Sequence, residues 1–146
     1  MDITGFFTDL TGGNLLLWKV VATTVVFALA GVQVFMAARF WGVNATPRVS
    51  SEAAARVHRF NGRVALPLAV LVALTCLAGP AGPTSPTRVL LHSIFGAALF
   101  GVLAAKFTIL RVLRRGDRWL PYLGSALFLL FGGLWATSVF QYVTGG

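Results

Sequence analysis

The sequence predicts an all-α membrane protein whose four transmembrane helices form an up-down-up-down bundle. The 146 residues are 57% hydrophobic and only 11% charged. Their mean hydropathy of +0.81 lies in the range of polytopic membrane proteins. The apolar residues fall into four long runs with short connections between them. Because short connections make consecutive helices antiparallel, the four spans should alternate in direction.

Each predicted span is long enough to cross a hydrocarbon layer that requires roughly 20 helical residues. The second span includes a polar stretch, 56–63, because the apolar run behind it, 64–78, is too short to cross alone. The Gly- and Pro-rich segment 79–86 predicts a tight turn. We expect a single integral membrane domain over residues 1–146, with spans at about 15–40, 53–78, 87–113 and 119–142.

Basic residues are concentrated at two of the three connections between spans. The positive-inside rule places such loops in the cytoplasm, so we expect a multi-pass protein of the plasma membrane with both termini outside. Most of the 12 basic residues flank the first and third connections. They are Arg39, Arg48, Arg56, Arg59, Arg63, Lys106, Arg111, Arg114, Arg115 and Arg118.

Several classes of function are excluded by the sequence. The net charge of +8 follows the membrane topology and does not indicate a nucleic-acid partner. The single cysteine, Cys76, lies within an apolar run, so no internal disulfide can form. The sequence contains no phosphate loop, nucleophile elbow or zinc-binding pattern, and no catalytic residue is predicted.

The chain has 2 histidines, and both lie about one turn inside an apolar span, at opposite faces of the predicted bundle. Each is followed four residues later by a glycine, giving His58-x-x-x-Gly62 and His92-x-x-x-Gly96. On a helix the glycine shares the face of the histidine. Ionisable groups at this depth are candidates for a functional site. A flat macrocycle whose metal is held by the histidine would need this arrangement, so we predict haem b with His58 and His92 as metal ligands.

One shared iron is excluded by the predicted depths. The histidines should lie roughly 20 to 25 Å apart along the membrane normal, whereas trans ligands to one iron lie only about 4 Å apart. Each histidine would therefore hold a separate haem, with the second ligand supplied by a twin chain in a homodimer or by another subunit of a larger redox complex. Arginines near each histidine could pair with haem propionates, although each also has an ordinary use as a topology signal. They are Arg56, Arg59 and Arg63 near His58 and Arg88 near His92.

The same residues also have an interpretation without a cofactor. Intramembrane histidines can bridge helices through hydrogen bonds, and glycines such as Gly96 and Gly101 can serve only to let helices approach closely. Asn61 is expected to hydrogen-bond a histidine or a neighbouring helix. Lys106 lies about one turn from a basic loop, so its side chain is expected to snorkel to that surface.

Three segments of the predicted second and third spans carry a family resemblance. They are His58-Arg59-Phe60-Asn61-Gly62-Arg63, Arg88-Val89-Leu90-Leu91-His92-Ser93 with Gly96, and Ala104-Ala105-Lys106. With these segments, the chain from the second span onward resembles a family of uncharacterised four-span actinobacterial membrane proteins. More distantly, the two middle spans resemble the histidine-bearing helices of cytochrome b561 and related transmembrane haem proteins. That resemblance implies b haems held by histidines and electron transfer across the membrane from donors such as ascorbate or quinol. The chain departs from the wider pattern because it has only 2 histidines.

These observations favour a b-type cytochrome-like subunit that carries electrons across the membrane. A quinone site at either face is left open, as is a role as the electron-transfer component of an oxidoreductase. The alternative is a haem-free structural subunit of a larger membrane complex. A small transporter that uses His58, Asn61, Lys106 and Gln33 is a third interpretation, which is weakened because no span contains an acidic residue.

Overall fold

Within the residues that the structure describes, the chain is helical and contains no strand. The computed structural model describes residues 3–43, 48–78, 85–113 and 118–144. The helices are α1 (Ile3–Leu10), α2 (Leu15–Phe40), α3 (Ser51–Ala78), α4 (Pro86–Thr108) and α5 (Leu120–Thr144), and a π-helical segment, Ile109–Leu113, continues α4.

Four of these helices, α2 to α5, are long and apolar enough to cross a membrane. This confirms the predicted all-α fold class with four candidate transmembrane helices. Most of the predicted turn at 79–86 and the predicted basic residues Arg114 and Arg115 lie outside the described residues. The short helix α1, which the sequence did not predict, precedes the first span and contacts α3.

Polar caps and a glycine fix the ends of the long helices. The side chains of Asn14, Ser50 and Ser85 each accept a backbone N–H from the first turn of α2, α3 and α4, respectively. Such caps satisfy N–H groups that have no partner within the helix. Gly42 follows α2 with a φ of 77°, and its N–H bonds to the carbonyl of Arg39 at 3.2 Å. This left-handed glycine closes the last turn of α2.

Contacts between side chains show that neighbouring helices run antiparallel, as predicted. On α2 and α3, Gln33 pairs with His58, whereas Leu29, one turn earlier, pairs with Asn61, nearly one turn later. Helix α5 runs antiparallel to both α2 and α4. The contacts that show this are Phe128 with Gly31, Gly132 with Phe27 and Trp135 with Thr24, together with Thr137 with His92 and Gly133 with Phe95.

The four long helices follow one another in space in the order α3, α2, α5, α4. Helix α2 packs against α3 and α5, and α4 packs against α5. Among the described residues, α3 and α4 make no comparable contact with each other. Charges on α4 nevertheless lie within electrostatic range of α3, Lys106 with His58 and Arg88 with Cys76.

Stacked aromatic rings hold α2 and α5 together at the centre of this row. The Phe27 ring stacks on Phe128 at a centroid distance of 5.3 Å and on Trp135 at 5.4 Å. Trp135 Nε1 also donates a hydrogen bond to Thr24 Oγ1 at 3.0 Å. Gly132 lies under the Phe27 ring, where an added Cβ would stand 3.5 Å from the ring edge. Ring stacking and a small residue at the interface are the packing devices that membrane helices use.

The outward faces of α3 and α4 are strongly apolar. Leu77 on α3 is 85% exposed and Leu90 on α4 is 60% exposed. Exposing such surface to water costs about 25 cal/mol per Å², whereas hydrocarbon chains remove that cost. The helices are therefore suited to a lipid bilayer.

The antiparallel packing gathers most of the basic residues at one end of the bundle, which we call the basic end. Here α2 and α4 finish and α3 and α5 begin. Lys19 and Arg88 lie toward the opposite end, since they belong to the first halves of α2 and α4. That the basic end faces the cytoplasm remains a prediction.

Gly133 provides a direct test of the α4–α5 contact. A Cβ at this position would lie 2.9 Å from two atoms of the Phe95 ring, and overpacking of this kind costs about 1–3 kcal/mol. We expect Gly133→Ala to lower the unfolding temperature in detergent, as followed with a thiol-reactive dye on Cys76. Gly124→Ala, on the same helix, meets nothing within 4 Å and should leave that temperature nearly unchanged. Equal losses in the two variants would contradict the packing described.

Candidate functional site

His58 is fixed to the neighbouring helix α2 by a reciprocal pair of hydrogen bonds. Its Nδ1 lies 3.0 Å from the carbonyl oxygen of Gln33. The Gln33 side chain returns the bond, because its Nε2 donates to the carbonyl oxygen of His58 at 3.0 Å. A carbonyl oxygen can only accept, so Nδ1 must carry the proton. In the neutral ring Nε2 then keeps its lone pair.

The residues that follow His58 make room for this pair and strengthen it. A Cβ on Gly62 would lie 2.7 Å from Gln33 Nε2, so a larger residue here would displace the Gln33 amide from the carbonyl of His58. Asn61 is buried and donates from Nδ2 to the carbonyl of Leu29 at 2.7 Å. Asn61 therefore bonds a neighbouring helix, which was one of the two roles predicted for it.

His92 is fixed to α5 in a chemically similar way. Its Nδ1 lies 2.9 Å from Thr137 Oγ1. The same hydroxyl lies 2.9 Å from the carbonyl of Gly133 and 3.0 Å from that of Leu134. Carbonyl oxygens only accept, so these two contacts occupy the hydroxyl proton, and the hydroxyl oxygen accepts from His92 Nδ1–H. His92, like His58, thus keeps a lone pair on Nε2.

Both Nε2 atoms are left for another partner. Neither makes a hydrogen bond to any described residue, although both imidazoles are half-buried. Every fully buried side-chain nitrogen or oxygen among the described residues has a partner, so each Nε2 retains some accessible surface. Histidines that ligate metals donate their other ring N–H to a carbonyl or similar acceptor, which fixes the tautomer and the ring direction. Both histidines meet that requirement.

The two histidines lie at different depths. Along the α2–α5 contact, each step forward on α5 matches one step back on α2, as in the pairs Gly132 with Phe27 and Trp135 with Thr24. Thr137 therefore lies level with about residue 22 of α2. Gln33 lies about eleven residues further along α2, which corresponds to roughly 16 Å. His58 and His92, bonded to Gln33 and Thr137, are therefore too far apart to ligate one iron. The separation is shorter than predicted because each histidine lies nearly two turns inside its helix.

The two glycines of the His-x-x-x-Gly motifs have different surroundings. The space beside Gly62 is filled by Gln33, whereas a Cβ on Gly96 would meet nothing within 4 Å. Gly101 likewise has no close neighbour. Among the glycines of the described residues, an added Cβ would clash with a neighbouring helix at Gly62 and Gly133. Clearance for a macrocycle is therefore visible beside Gly96 and not beside Gly62.

The predicted arginines divide into one that is fixed and three that are exposed. Arg88 is half-buried, and its Nε donates to the carbonyl oxygen of Thr137, so Arg88 and His92 share one residue of α5. Arg56, Arg59 and Arg63 are exposed, and their guanidinium groups make no hydrogen bond or ion pair with other described residues.

Two residues that fix the histidines, Gln33 and Thr137, were not predicted as their hydrogen-bond partners, although Gln33 was named in the transporter interpretation. Gln33 carried a weak signal, since a glutamine inside an apolar span is costly without a partner. Thr137 carried no signal, because threonines such as Thr24 and Thr108 occur elsewhere in the spans and bond within their own helices. Thr137 becomes the partner of His92 only because α5 packs against α4.

Lys106 and the set of possible metal ligands complete the site. Lys106 is half-buried, has no hydrogen-bond partner among the described residues and lies within electrostatic range of His58. No group of three or more His, Cys, Asp and Glu side chains that could hold a metal ion occurs in the described part of the chain.

The Thr137 hydroxyl gives a direct test of the tautomer of His92. Thr137→Val keeps the shape but removes the acceptor, which leaves a half-buried donor unpaired at a cost of about 1–3 kcal/mol. With ¹⁵N-labelled histidine, NMR should show Nδ1–H tautomers for both rings, and Thr137→Val should shift the His92 signals alone. Thr137→Ser retains the hydroxyl and should keep the wild-type signals. Ring signals of His92 that ignore Thr137→Val would contradict the assignment.

Comparison with known proteins identifies a family but not an activity. No curated protein and no solved structure matches the chain at a significant level, so the resemblance to cytochrome b561 remains a prediction. A family model described as a family of unknown function, DUF6529, matches residues 4–145. This match covers nearly the whole sequence, and the chain therefore belongs to the DUF6529 family.

Proposed function

We propose that this protein is a b-type cytochrome-like membrane subunit that carries electrons across the membrane, with His58 and His92 each ligating a separate haem. The observation that carries the proposal is that the two imidazoles use their ring nitrogens in the same way. Each donates its Nδ1 proton to a neighbouring helix and leaves its Nε2 without a partner among the described residues. Helix bridging alone accounts for Nδ1 and gives no reason for two unpartnered Nε2 atoms.

The hydrogen bonds made by each histidine suit a metal ligand, and the space beside Gly96 gives a haem held by His92 more room than one held by His58 would have beside Gly62. The bonds to Gln33 and Thr137 hold the rings in one orientation and raise the basicity of Nε2. Haem would supply reversible one-electron chemistry, whose potential depends on axial ligands, hydrogen bonding and burial. Arg88 near His92 and the exposed Arg59 beside His58 provide guanidinium donors for carboxylates.

The second ligand of each haem must come from outside the chain. The sequence has 2 histidines, and their depths differ by roughly 16 Å along α2. A twofold homodimer would supply the missing imidazoles by placing each histidine opposite its symmetry mate. Another subunit of a redox complex is the other source of these ligands.

Replacing each histidine separately tests the proposal. We expect His92→Gly to remove the haem nearer the end of the bundle opposite the basic end. His58→Gly should remove the haem nearer the basic end, so that each variant retains about half of the haem. Added imidazole should restore the lost absorbance, because it can occupy the emptied ligand position. Asn61→Ala, which removes a buried interhelical bond next to His58, should cost roughly 0.6–1.7 kcal/mol of stability and leave the haem content unchanged.

The outcomes separate ligation from folding. Haem loss that imidazole does not reverse, accompanied by an equal loss in Asn61→Ala, would indicate damaged packing and contradict the ligand assignment. Full haem content in both histidine variants would contradict it as well. In either case the haem-free structural subunit, in which the histidines only join helices, would be the better account.

A further inference from the structure

Three arginines near the start of α3 form one exposed face of this helix, which we call the arginine face. At about 100° of rotation per residue, Arg56, Arg59 and Arg63 fall within a sector of about 60°. Consecutive members are three and four residues apart, the spacing that places side chains beside each other on a helix surface. All three side chains are exposed. The geometry of a single helix therefore brings the three guanidinium groups together.

The arginine face points away from the helix on which α3 packs. His58, Asn61 and Gly62 alternate with the arginines in the sequence and lie against α2, where they contact Gln33 and Leu29. The centre of the arginine face lies about 140° around the helix from these three residues. Among the described residues, α2 is the long helix that makes extensive contact with α3. The arginine face therefore borders the membrane and not the helix packing.

The chain has too few acidic residues to neutralise the arginine face. The whole sequence holds 4 Asp and Glu residues against 12 Lys and Arg. The three guanidinium groups form no hydrogen bond or ion pair with a described residue, Glu52 included. Asp2 and Asp117 lie outside the described residues, and together they could pair with at most two of the three arginines. Because like charges at these spacings repel each other, an anion from outside the chain would stabilise this face.

The depth of the arginine face corresponds to the headgroup layer of a bilayer. The apolar run 64–78 covers about 22 Å, whereas the hydrocarbon layer is about 30 Å thick. Counted back from residue 78, where α3 ends, that layer reaches about Arg59. Arg56 then lies among the headgroups, and Arg63 lies about one turn deeper, within reach of a snorkelling side chain. Phe60 is 70% exposed and gives apolar surface to acyl chains at the same level.

We propose that the arginine face of α3 binds the phosphate groups of anionic phospholipids. Guanidinium groups form bidentate, charge-assisted hydrogen bonds with phosphate, and basic clusters at a membrane surface recognise anionic headgroups. The bound lipid offsets the repulsion among the arginines, and its chains cover Phe60. This inference does not rest on the proposed haem function, because Arg56 and Arg63 remain on this face even if Arg59 pairs with a haem carboxylate.

Native mass spectrometry of the detergent-solubilised full chain, with phosphatidylglycerol and phosphatidylcholine added separately, tests the arginine face. The wild type should retain phosphatidylglycerol in preference to phosphatidylcholine. Arg56→Gln/Arg63→Gln should weaken phosphatidylglycerol binding about 25-fold, since each basic residue at the surface contributes about fivefold. Arg111→Gln/Arg118→Gln removes the same charge from exposed residues at the same end. This control should stay within about twofold of the wild type, because distant exposed charges are screened.

A charge-conserving variant separates a headgroup site from diffuse attraction. Arg56→Lys/Arg63→Lys keeps both charges but loses the bidentate geometry, so phosphatidylglycerol binding should fall by at least about threefold. Wild-type binding by this variant, or equal losses in the two Gln variants, would overturn the site in favour of diffuse surface charge. Displacement of bound phosphatidylglycerol by millimolar inorganic phosphate would overturn the lipid assignment, since the arginine face would then take the soluble ion.

Discussion

The hydrogen bond that fixes the Nδ1 of each histidine to a neighbouring helix is the constraint on which the rest of the structure depends. In a bilayer no water satisfies a polar side chain, so a histidine requires a protein partner. His58 finds that partner on α2 and His92 on α5. Each bond joins a pair of helices, α3 to α2 and α4 to α5. The same bond sets the tautomer of the ring, so packing and ligand chemistry are determined together.

The two helix pairs are joined at the centre by the aromatic contact between α2 and α5. Phe27 stacks on rings from α5 on both sides, and this contact leaves α3 and α4 at the two ends of the row. Toward the basic end these outer helices carry His58 and Lys106, and further along α4 both Arg88 and His92 bond to Thr137 of α5. A small chain with an uncharged fourth span can thereby present polar groups at two depths.

The spans could be predicted from the sequence because their length is set by the thickness of the hydrocarbon layer, and the observed helices begin and end close to the predicted positions. That His58 and His92 could bond to neighbouring helices was one of the interpretations available from the sequence, since polar groups are costly in lipid without a partner. Their partners could not be predicted, because Thr137 looks like any other threonine of a span. The two His-x-x-x-Gly motifs are identical in spacing, yet Gly62 is covered by Gln33 and Gly96 is open. Such differences arise from the neighbouring helix, which a local pattern does not contain.

The central claim is that two imidazoles with unpartnered Nε2 atoms hold haem. A reduced-minus-oxidised visible spectrum of the purified wild-type protein, with pyridine-haemochrome quantitation against chain concentration, tests it most directly. The account predicts a sharp b-type α-band and about one haem per chain, as expected when two chains share two bis-histidine haems. A preparation that is colourless and stays so after haem is added would contradict the account.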